Sequence, residues 1–370
     1  MKREMLFQMD NIVSLNDRLW YIAPWFSHVM EVDIKSGEIK SLFVLNENMD
    51  TGLDYRSLLL YNNCLWAFPT TTNRIIIYKI DDGAFEYRHI PPNIFEVEER
   101  NWSARYIKLD NFILFYWANP IIVLYNLADD RWTVFRNLNI KPYIEEYGVP
   151  FVNDAFVREN SIYVVLNNNE VIELLCETGE VKIRNICDIF ELESSERVWK
   201  IKNINDEYII GVESKEGKRY LRLYNKCKVN LLEVSIEKYE ISREYLFIRC
   251  DKGIIMLPGE GEKCLYWDLE ANNIYEKLDI PVVSNEKLKG DWRNTFNYNA
   301  YTVIDDKCYC VHPWSESLVR IDLRNEEITK KGIWSKIGME ELFVRLRNIN
   351  STIITEDMLG IDLKDWIKYI

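Results

Sequence analysis

The chain has 370 residues, 48% of them hydrophobic, including 12 Trp, 22 Tyr and 15 Phe, and a formal net charge of −13. That apolar content is ample for several small cores and excludes a disordered chain. The negative balance opposes a phosphate backbone and no local basic patch offsets it, so nucleic acid is not an expected partner.

In chain order, the start (Met1-Lys2-Arg3-Glu4-Met5-Leu6-Phe7-Gln8-Met9-Asp10) has no apolar run long enough for a signal peptide. No uncharged apolar stretch approaches the roughly 18 residues needed to span a bilayer. The expectation is a cytoplasmic protein with no membrane partner. The eight cysteines (Cys64, Cys176, Cys187, Cys227, Cys250, Cys264, Cys308 and Cys310) are scattered, without a C-x-x-C among them. Cys308 and Cys310 alternate on a strand, face one side and pack as small hydrophobes. Neither metal nor disulfide is expected.

From about residue 12 onward one pattern recurs. A large apolar residue is followed seven positions later by another, with Asp, Asn or Gly usually between: Val32/Ile39, Tyr78/Phe85, Tyr125/Trp132, Leu174/Val181, Tyr224/Leu231, Trp267/Ile274 and Ile321/Ile328. Successive first members lie 46, 47, 49, 50, 43 and 54 residues apart. A sustained period of about 40–50 residues means stacked or radial copies of one supersecondary unit.

Each unit opens with a short apolar run ending in a polar turn. These turns are Asn16-Asp17, Asn62-Asn63, Asp110-Asn111, Glu159-Asn160, Asn205-Asp206, Asp251-Lys252 and Asp305-Asp306. Asn and Asp tolerate left-handed backbone, which tight hairpins need. An innermost strand precedes each turn, as in 57–61 and 301–304, and a second follows it, as in 19–22 and 162–166. The third strand (29–34, 318–323) ends in a second polar turn, such as Lys35-Ser36-Gly37 or Asp81-Asp82-Gly83, that leads to an outer fourth strand. Four short strands joined by polar hairpins make a propeller blade.

The predicted fold is therefore all-β: a seven-bladed β-propeller of four-stranded antiparallel blades with a short C-terminal extension. The propeller spans residues 1–343, with blades starting near 12, 57, 104, 153, 199, 241 and 297. Residues 344–370 form a tail that adds a closing strand, a short helix or both, while Met5–Met9 is an alternative completion of the last blade. Sandwiches and jelly rolls do not repeat at one period, and a helical solenoid would need 3.6-residue patterns that are scarce here.

The apolar strand, small turn, second strand and then Tyr-x-x-x-x-x-x-Trp (Tyr125 to Trp132) resembles a kelch repeat. The resemblance covers residues 12–330 and implies that this Tyr and Trp stack between neighbouring blades. It departs from the kelch pattern in replacing the Gly-Gly doublet with Asn/Asp pairs and in keeping both aromatics only in the third repeat. Kelch-like propellers range from enzymes to docking proteins, so the resemblance carries architecture and no particular activity.

A site is expected on the rim that holds the long links between blades, 46–56, 91–104, 139–152, 185–198 and 281–297, because binding residues concentrate on long loops of rigid scaffolds. Two features mark that rim. One is a Pro-Trp pair in blades one and seven, Pro24-Trp25 and Pro313-Trp314, with His28 and His312 in the same loops. It reads as an aromatic platform with polar handles; the competing account is proline ending a strand and tryptophan capping a core. The other is an aromatic beside a cation where the innermost strand begins: Tyr55-Arg56, Trp102 with Arg105, Trp199-Lys200 and Trp292-Arg293. These cations ring the channel mouth and favour an anionic ligand or acidic partner segment, or else balance local acids such as Asp50, Asp54, Glu96 and Asp291.

Catalytic motifs are sparse. Glu98-Glu99, Glu145-Glu146 and Asp188 offer carboxylates for glycoside hydrolysis with no separation fixed by sequence. There is no G-x-S-x-G, and only His28, His89 and His312 are available as a base. No Walker loop, Rossmann fingerprint, EF-hand or H-E-x-x-H occurs, and no cofactor is expected. The reading is a non-catalytic binding or scaffolding propeller that docks a protein or peptide partner on its long-loop rim. The alternative is a lyase, hydrolase or sensor acting on a small or carbohydrate ligand at the channel mouth.

Overall fold

The computed structural model describes residues 6–7, 9, 11–45, 55–69, 72–92, 105–109, 112–116, 122–135, 152–158, 161–166, 169–175, 179–204, 207–225, 227, 229–239, 241, 245–259, 263–283, 298 and 300–350. They form seven four-stranded sheets, each built from four strands consecutive in sequence. Sheet 1 contains β1 (Val13–Leu15), β2 (Arg18–Ala23), β3 (His28–Asp33) and β4 (Ile39–Val44). Sheet 2 contains β5 (Tyr55–Tyr61), β6 (Cys64–Pro69), β7 (Arg74–Lys79) and β8 (Phe85–His89). Sheet 3 contains β9 (Arg105–Leu109), β10 (Phe112–Tyr116), β11 (Ile122–Asn126) and β12 (Arg131–Phe135). Sheet 4 contains β13 (Val152–Arg158), β14 (Ser161–Leu166), β15 (Glu170–Leu175) and β16 (Val181–Asn185). Sheet 5 contains β17 (Arg197–Ile204), β18 (Glu207–Glu213), β19 (Arg219–Tyr224) and β20 (Asn230–Ser235). Sheet 6 contains β21 (Leu246–Arg249), β22 (Gly253–Leu257), β23 (Leu265–Asp268) and β24 (Asn273–Glu276). Sheet 7 contains β25 (Tyr301–Ile304), β26 (Lys307–His312), β27 (Ser317–Asp322) and β28 (Ile328–Gly332). The fold is an all-β propeller of four-stranded antiparallel blades.

The hairpins have the backbone that their sequences call for. Asn62 and Asn63 are both left-handed (φ 48 and 58), as are Asp305 and Asp306 (φ 46 and 58). That is the primed turn whose twist matches two-residue hairpins. The seven-residue spacing is the closing pair of the outer hairpin: Val32 opposes Ile39, Tyr78 opposes Phe85, Tyr125 opposes Trp132, Leu174 opposes Val181 and Ile321 opposes Ile328. In four of these hairpins the residue after the first member receives an N–H four residues on and donates its own N–H to the carbonyl five residues on; Asp33 with Gly37 and Glu38 is the pattern. The donor four residues on is left-handed: Gly37 (φ 80), Gly83 (φ 71), Gly179 (φ 70) and Glu326 (φ 60).

Sheet 5 departs from this pattern. Tyr224 opposes Asn230, not Leu231. The Asn225 side chain accepts the N–H groups of Cys227 and Val229, and the Asn225 main-chain N–H reaches the Val229 carbonyl only four residues on. The hairpin is one residue shorter, and Leu231 is left 47% exposed.

The chain divides into two compact units. The first holds residues 1–95, 244–266 and 276–370, the second 96–243 and 267–275, and the division passes through sheet 6. In the first unit, apolar layers fill the spaces between sheets 7 and 1, between 1 and 2, and between 6 and 7. In the second, equivalent layers lie between sheets 3 and 4 and between 4 and 5. Val32 and Ile39 belong to the 7/1 layer, Leu174 and Val181 to the 3/4 layer, and Ile321 and Ile328 to the 6/7 layer. Thus the spaced pair packs its blade against the preceding one. Cys308 and Cys310 are buried in the 6/7 layer with Cys250 and Cys264, where burial pushes the Cys250 thiol up to about 12.

First strands also meet one another, as innermost strands should. Ser14 Oγ lies 2.7 Å from Thr302 Oγ1, Asn11 Oδ1 accepts the Leu58 N–H at 3.0 Å, and Lys202 pairs with Asp154 at 3.6 Å.

Sheet 7 draws all four strands from residues 301–332, so neither Met5–Met9 nor the tail supplies one of them. Instead the described residues near both ends pack in the 7/1 layer. Leu6, Phe7 and Met9 are buried there, together with Leu342, Phe343 and Leu346 of a C-terminal helix, Met339–Asn350. Between sheet 7 and this helix, Trp334 bridges in parallel to Glu38 and its Nε1 donates to the Ser36 carbonyl at 3.0 Å. Gly37 is required at this crossing: a Cβ there would meet the Gly332 oxygen at 2.4 Å. The helix starts before the boundary expected at 344; the remainder of the tail lies outside the described residues.

Candidate functional site

In sheets 1 and 7 the link between second and third strands is the same device. Pro24–Phe26 and Pro313–Ser315 each make one 3-10 turn, closed by a left-handed residue, Ser27 (φ 50) or Glu316 (φ 47), whose N–H returns to the proline carbonyl. Proline suits the first helical position, where its missing N–H is not needed. The histidines sit in register beside these turns, His28 opposite Ala23 and His312 opposite Ser317.

Both histidines are only 2% exposed. Each Nδ1 lies 2.7 Å from a serine hydroxyl, Ser41 for His28 and Ser315 for His312. Burial lowers both pKa values to about 4, with Lys330 adding to the effect at His312. They are neutral near pH 7 and backed by hydroxyls, whereas a catalytic histidine of triad type leans on a carboxylate. Trp314 is half-buried, and the Trp25 side chain lies outside the described residues. Phe26, next to it, is fully buried and meets Phe343 edge-on at 5.8 Å. The expected polar handles therefore lie inside the protein. Two buried atoms there, His28 Nε2 and the Tyr21 hydroxyl, have no hydrogen-bond partner among the described residues.

At the start of the first strands a device appears that residue patterns did not announce. Tyr55 opposes Pro69 and Ser57 opposes Phe68, so Arg56 is the extra residue of a β-bulge. The same irregularity places Asn153 in sheet 4 and Trp199 in sheet 5 between paired neighbours. Bulges re-aim side chains and raise local twist. Tyr55 is buried, and its hydroxyl donates to the Arg74 carbonyl at 2.7 Å. Trp199 is buried against Gly211, where a Cβ would come within 2.4 Å of the indole, and the Arg219 guanidinium stacks 4.2 Å from its ring centre. Arg74 and Arg219 each begin a third strand. These two aromatics thus pin the start of strand one to the start of strand three. The side chains of Arg56 and Arg105, and all of Trp102, Trp292 and Arg293, lie outside the described residues.

The 185–198 link is folded. Asn185 caps a short helix, Ile186–Phe190, by accepting the Cys187 N–H, and Ile186, Cys187, Ile189 and Phe190 are buried. The Asn169 side chain holds the far end of the link, accepting from Val198 N–H at 2.9 Å and donating to the Glu196 carbonyl at 2.8 Å. Asp188 remains on the outside of the helix.

Among the described residues the buried carboxylates are all engaged. Glu31 accepts from Trp20 Nε1 at 2.8 Å and pairs with Lys40 at 2.9 Å. Glu173, at the equivalent place in sheet 4, accepts from the Tyr163 hydroxyl at 2.9 Å and from Arg184 at 2.5 Å. Burial opposes its ionisation, but these hydrogen bonds hold its carboxyl below the usual range. Glu196 is clamped in two-pronged fashion by Arg222 at 2.8 and 2.7 Å. Among the described residues no group of three or more His, Cys, Asp or Glu is arranged to hold a metal. Glu98-Glu99 and Glu145-Glu146 lie outside the described residues.

No protein-family model matches this chain. No curated protein matches it either. Solved structures do. A chain of the Mitotic Checkpoint Complex crystal structure matches with a TM-score of 0.50 and 10% identity, over 88% of this chain and 86% of that one. The β-propeller domain of Myceliophteria thermophila Cps50 (Swd1) matches with a TM-score of 0.50 and 8% identity, over 88% of this chain and 97% of that one. At such identities the likeness is one of fold.

Proposed function

We propose that this chain is a non-catalytic docking propeller of seven blades, kelch-like in its repeat, that holds a protein or peptide partner on the rim carrying the long inter-blade links. The observation that carries the reading is how the ionisable groups are used. His28 and His312 are buried, neutral and backed by serines, and Glu31, Glu173, Glu196 and Asp154 are taken up by structural partners. Acid–base chemistry needs at least two such groups converging on a reacting atom; docking needs only surface. A chain of similar fold was solved within the Mitotic Checkpoint Complex, which agrees with docking as a use of this architecture.

The test is quantitative affinity capture from source cells with the wild-type chain and a Trp102→Ala/Trp292→Ala/Arg293→Ala variant of unchanged circular dichroism and melting temperature. At least one stoichiometric partner held by the wild type and depleted about tenfold by the variant, as a lost hot-spot cluster requires, is the expected result. Identical captures from both proteins would move docking off this rim. A second reading has one observation in its favour: the unpartnered His28 Nε2 and Tyr21 hydroxyl suit a small oxygen-rich ligand between sheets 7 and 1. Electron density there other than water, in crystals grown from protein purified from its source, would favour that reading.

A further inference from the structure

The outer face of sheet 2 differs from the other described outer strands. Along β8 the side chains of Phe85, Tyr87 and His89 alternate onto the face turned toward sheet 1, and Phe85 and Tyr87 stand 45% and 49% exposed. No other outer strand among the described residues exposes two aromatics. Behind them Tyr78 stacks on Phe43 of sheet 1 at 4.8 Å, and Phe85 meets Phe43 edge-on at 5.1 Å. The ledge is therefore a braced aromatic surface, not a set of loose rings.

Its charge runs against that of the whole chain. Strand register puts Arg74, Ile76 and Tyr78 of β7 on this face with Phe85, Tyr87 and His89 of β8, and none is acidic. The Arg74 guanidinium lies over the Tyr87 ring, 5.0 Å from its centre, with no carboxylate partner among the described residues. Glu86, the acid of β8, is on the opposite face with Lys79 and Arg88. In a protein of net charge −13, an acid-free aromatic ledge carrying an oriented guanidinium selects a carboxylate beside large apolar groups. β8 is also an edge strand, with no strand paired on one side among the described residues, an edge suited to an extended segment.

We propose that this ledge (Phe43, Tyr78, Phe85 and Tyr87, with Arg74 and His89) docks a short extended peptide segment of a partner that presents large apolar side chains next to an Asp or Glu. The site rests on the docking reading above but lies on the side of a blade, not on the rim, so the two can fail separately.

The experiment is selection of a phage-displayed random octapeptide library on the intact chain, counter-selected on a Phe85→Ser/Tyr87→Ser variant. Both residues are about half exposed, so the variant keeps its fold, verified by an unchanged melting temperature. Peptides that survive only on the wild type should combine Leu, Ile, Phe or Trp with Asp or Glu. By fluorescence anisotropy, synthetic copies should bind about five- to tenfold more weakly to Arg74→Gln, the scale of one charge-assisted hydrogen bond. Replacing their Asp or Glu by Asn or Gln should erase that difference. Enrichment of basic peptides, equal survival on both proteins, or no enrichment would overturn the proposal. Concentration-dependent dimerisation of the wild type that Phe85→Ser/Tyr87→Ser abolishes would overturn it too, by assigning the ledge to a second copy. Rim binding measured by the Trp102/Trp292/Arg293 variant is unaffected by any of these outcomes.

Discussion

Gly211 and the two buried histidines show how single residues set this structure. A methyl at Gly211 would sit 2.4 Å from the Trp199 indole, which is itself held from the other side by Arg219. Overpacking of that kind costs about 1–3 kcal/mol, so Gly211→Ala should lower the urea midpoint accordingly, and Trp199→Leu should recover part of the loss in the double variant. For His28 and His312 the sign follows from their depressed pKa values of about 4, against 6.5 for an unperturbed histidine. Between those limits the unfolded chain takes up protons that the native chain refuses. Their contribution is complete above pH 6.5 and is lost as pH falls toward 4, to the extent of about 3 kcal/mol for each histidine. Urea titrations at pH 7.5, 6 and 5 should show a steep loss in the wild type and a shallower one in His28→Gln/His312→Gln.

At the scale of strands and links, the outer hairpins were legible and their exceptions were not. Val32 and Ile39 could be paired from sequence because a fixed turn with one left-handed residue always separates the two members. Tyr224 and Leu231 looked identical in spacing, yet Asn225 folds its side chain onto the local backbone and shortens that turn by one. The bulges at Arg56, Asn153 and Trp199 leave no trace in apolar periodicity, since one inserted residue alters pairing without altering composition. For His28 and His312 the loop is legible and the depth is not, because burial depends on layers built from other elements: His28 shares its strand face with Met30 and Val32 of the 7/1 layer, and His312 shares its face with Cys308 and Cys310 of the 6/7 layer. The 185–198 link read as a loop because its five-residue helix is too short for a periodic signal, although Asn185 as a cap was a usable clue. This link depends on Glu196 being neutralised. Arg222→Met should leave that carboxylate buried and unpaired, lowering stability by about 3 kcal/mol or more. Glu196→Gln in the same chain should restore part of it.

For the molecule as a whole, repetition supplies the scaffold and the departures from it tie its parts together. The ends of the chain are an example: sheet 7 and sheet 1 are each complete, yet they are joined by the Trp334 bridge and by the helix whose Leu342, Phe343 and Leu346 enter their shared layer. Trp334→Ala/Phe343→Ala should therefore lower the melting temperature and raise amide exchange in sheets 1 and 7 first. Docking of a partner on the long-link rim, as proposed above, is read out by hydrogen–deuterium exchange of the chain with and without its captured partner. Rim docking should concentrate protection in 46–56, 91–104, 139–152, 185–198 and 281–297. Protection confined to the hairpin turns of the opposite rim, or no change along the chain, would contradict it.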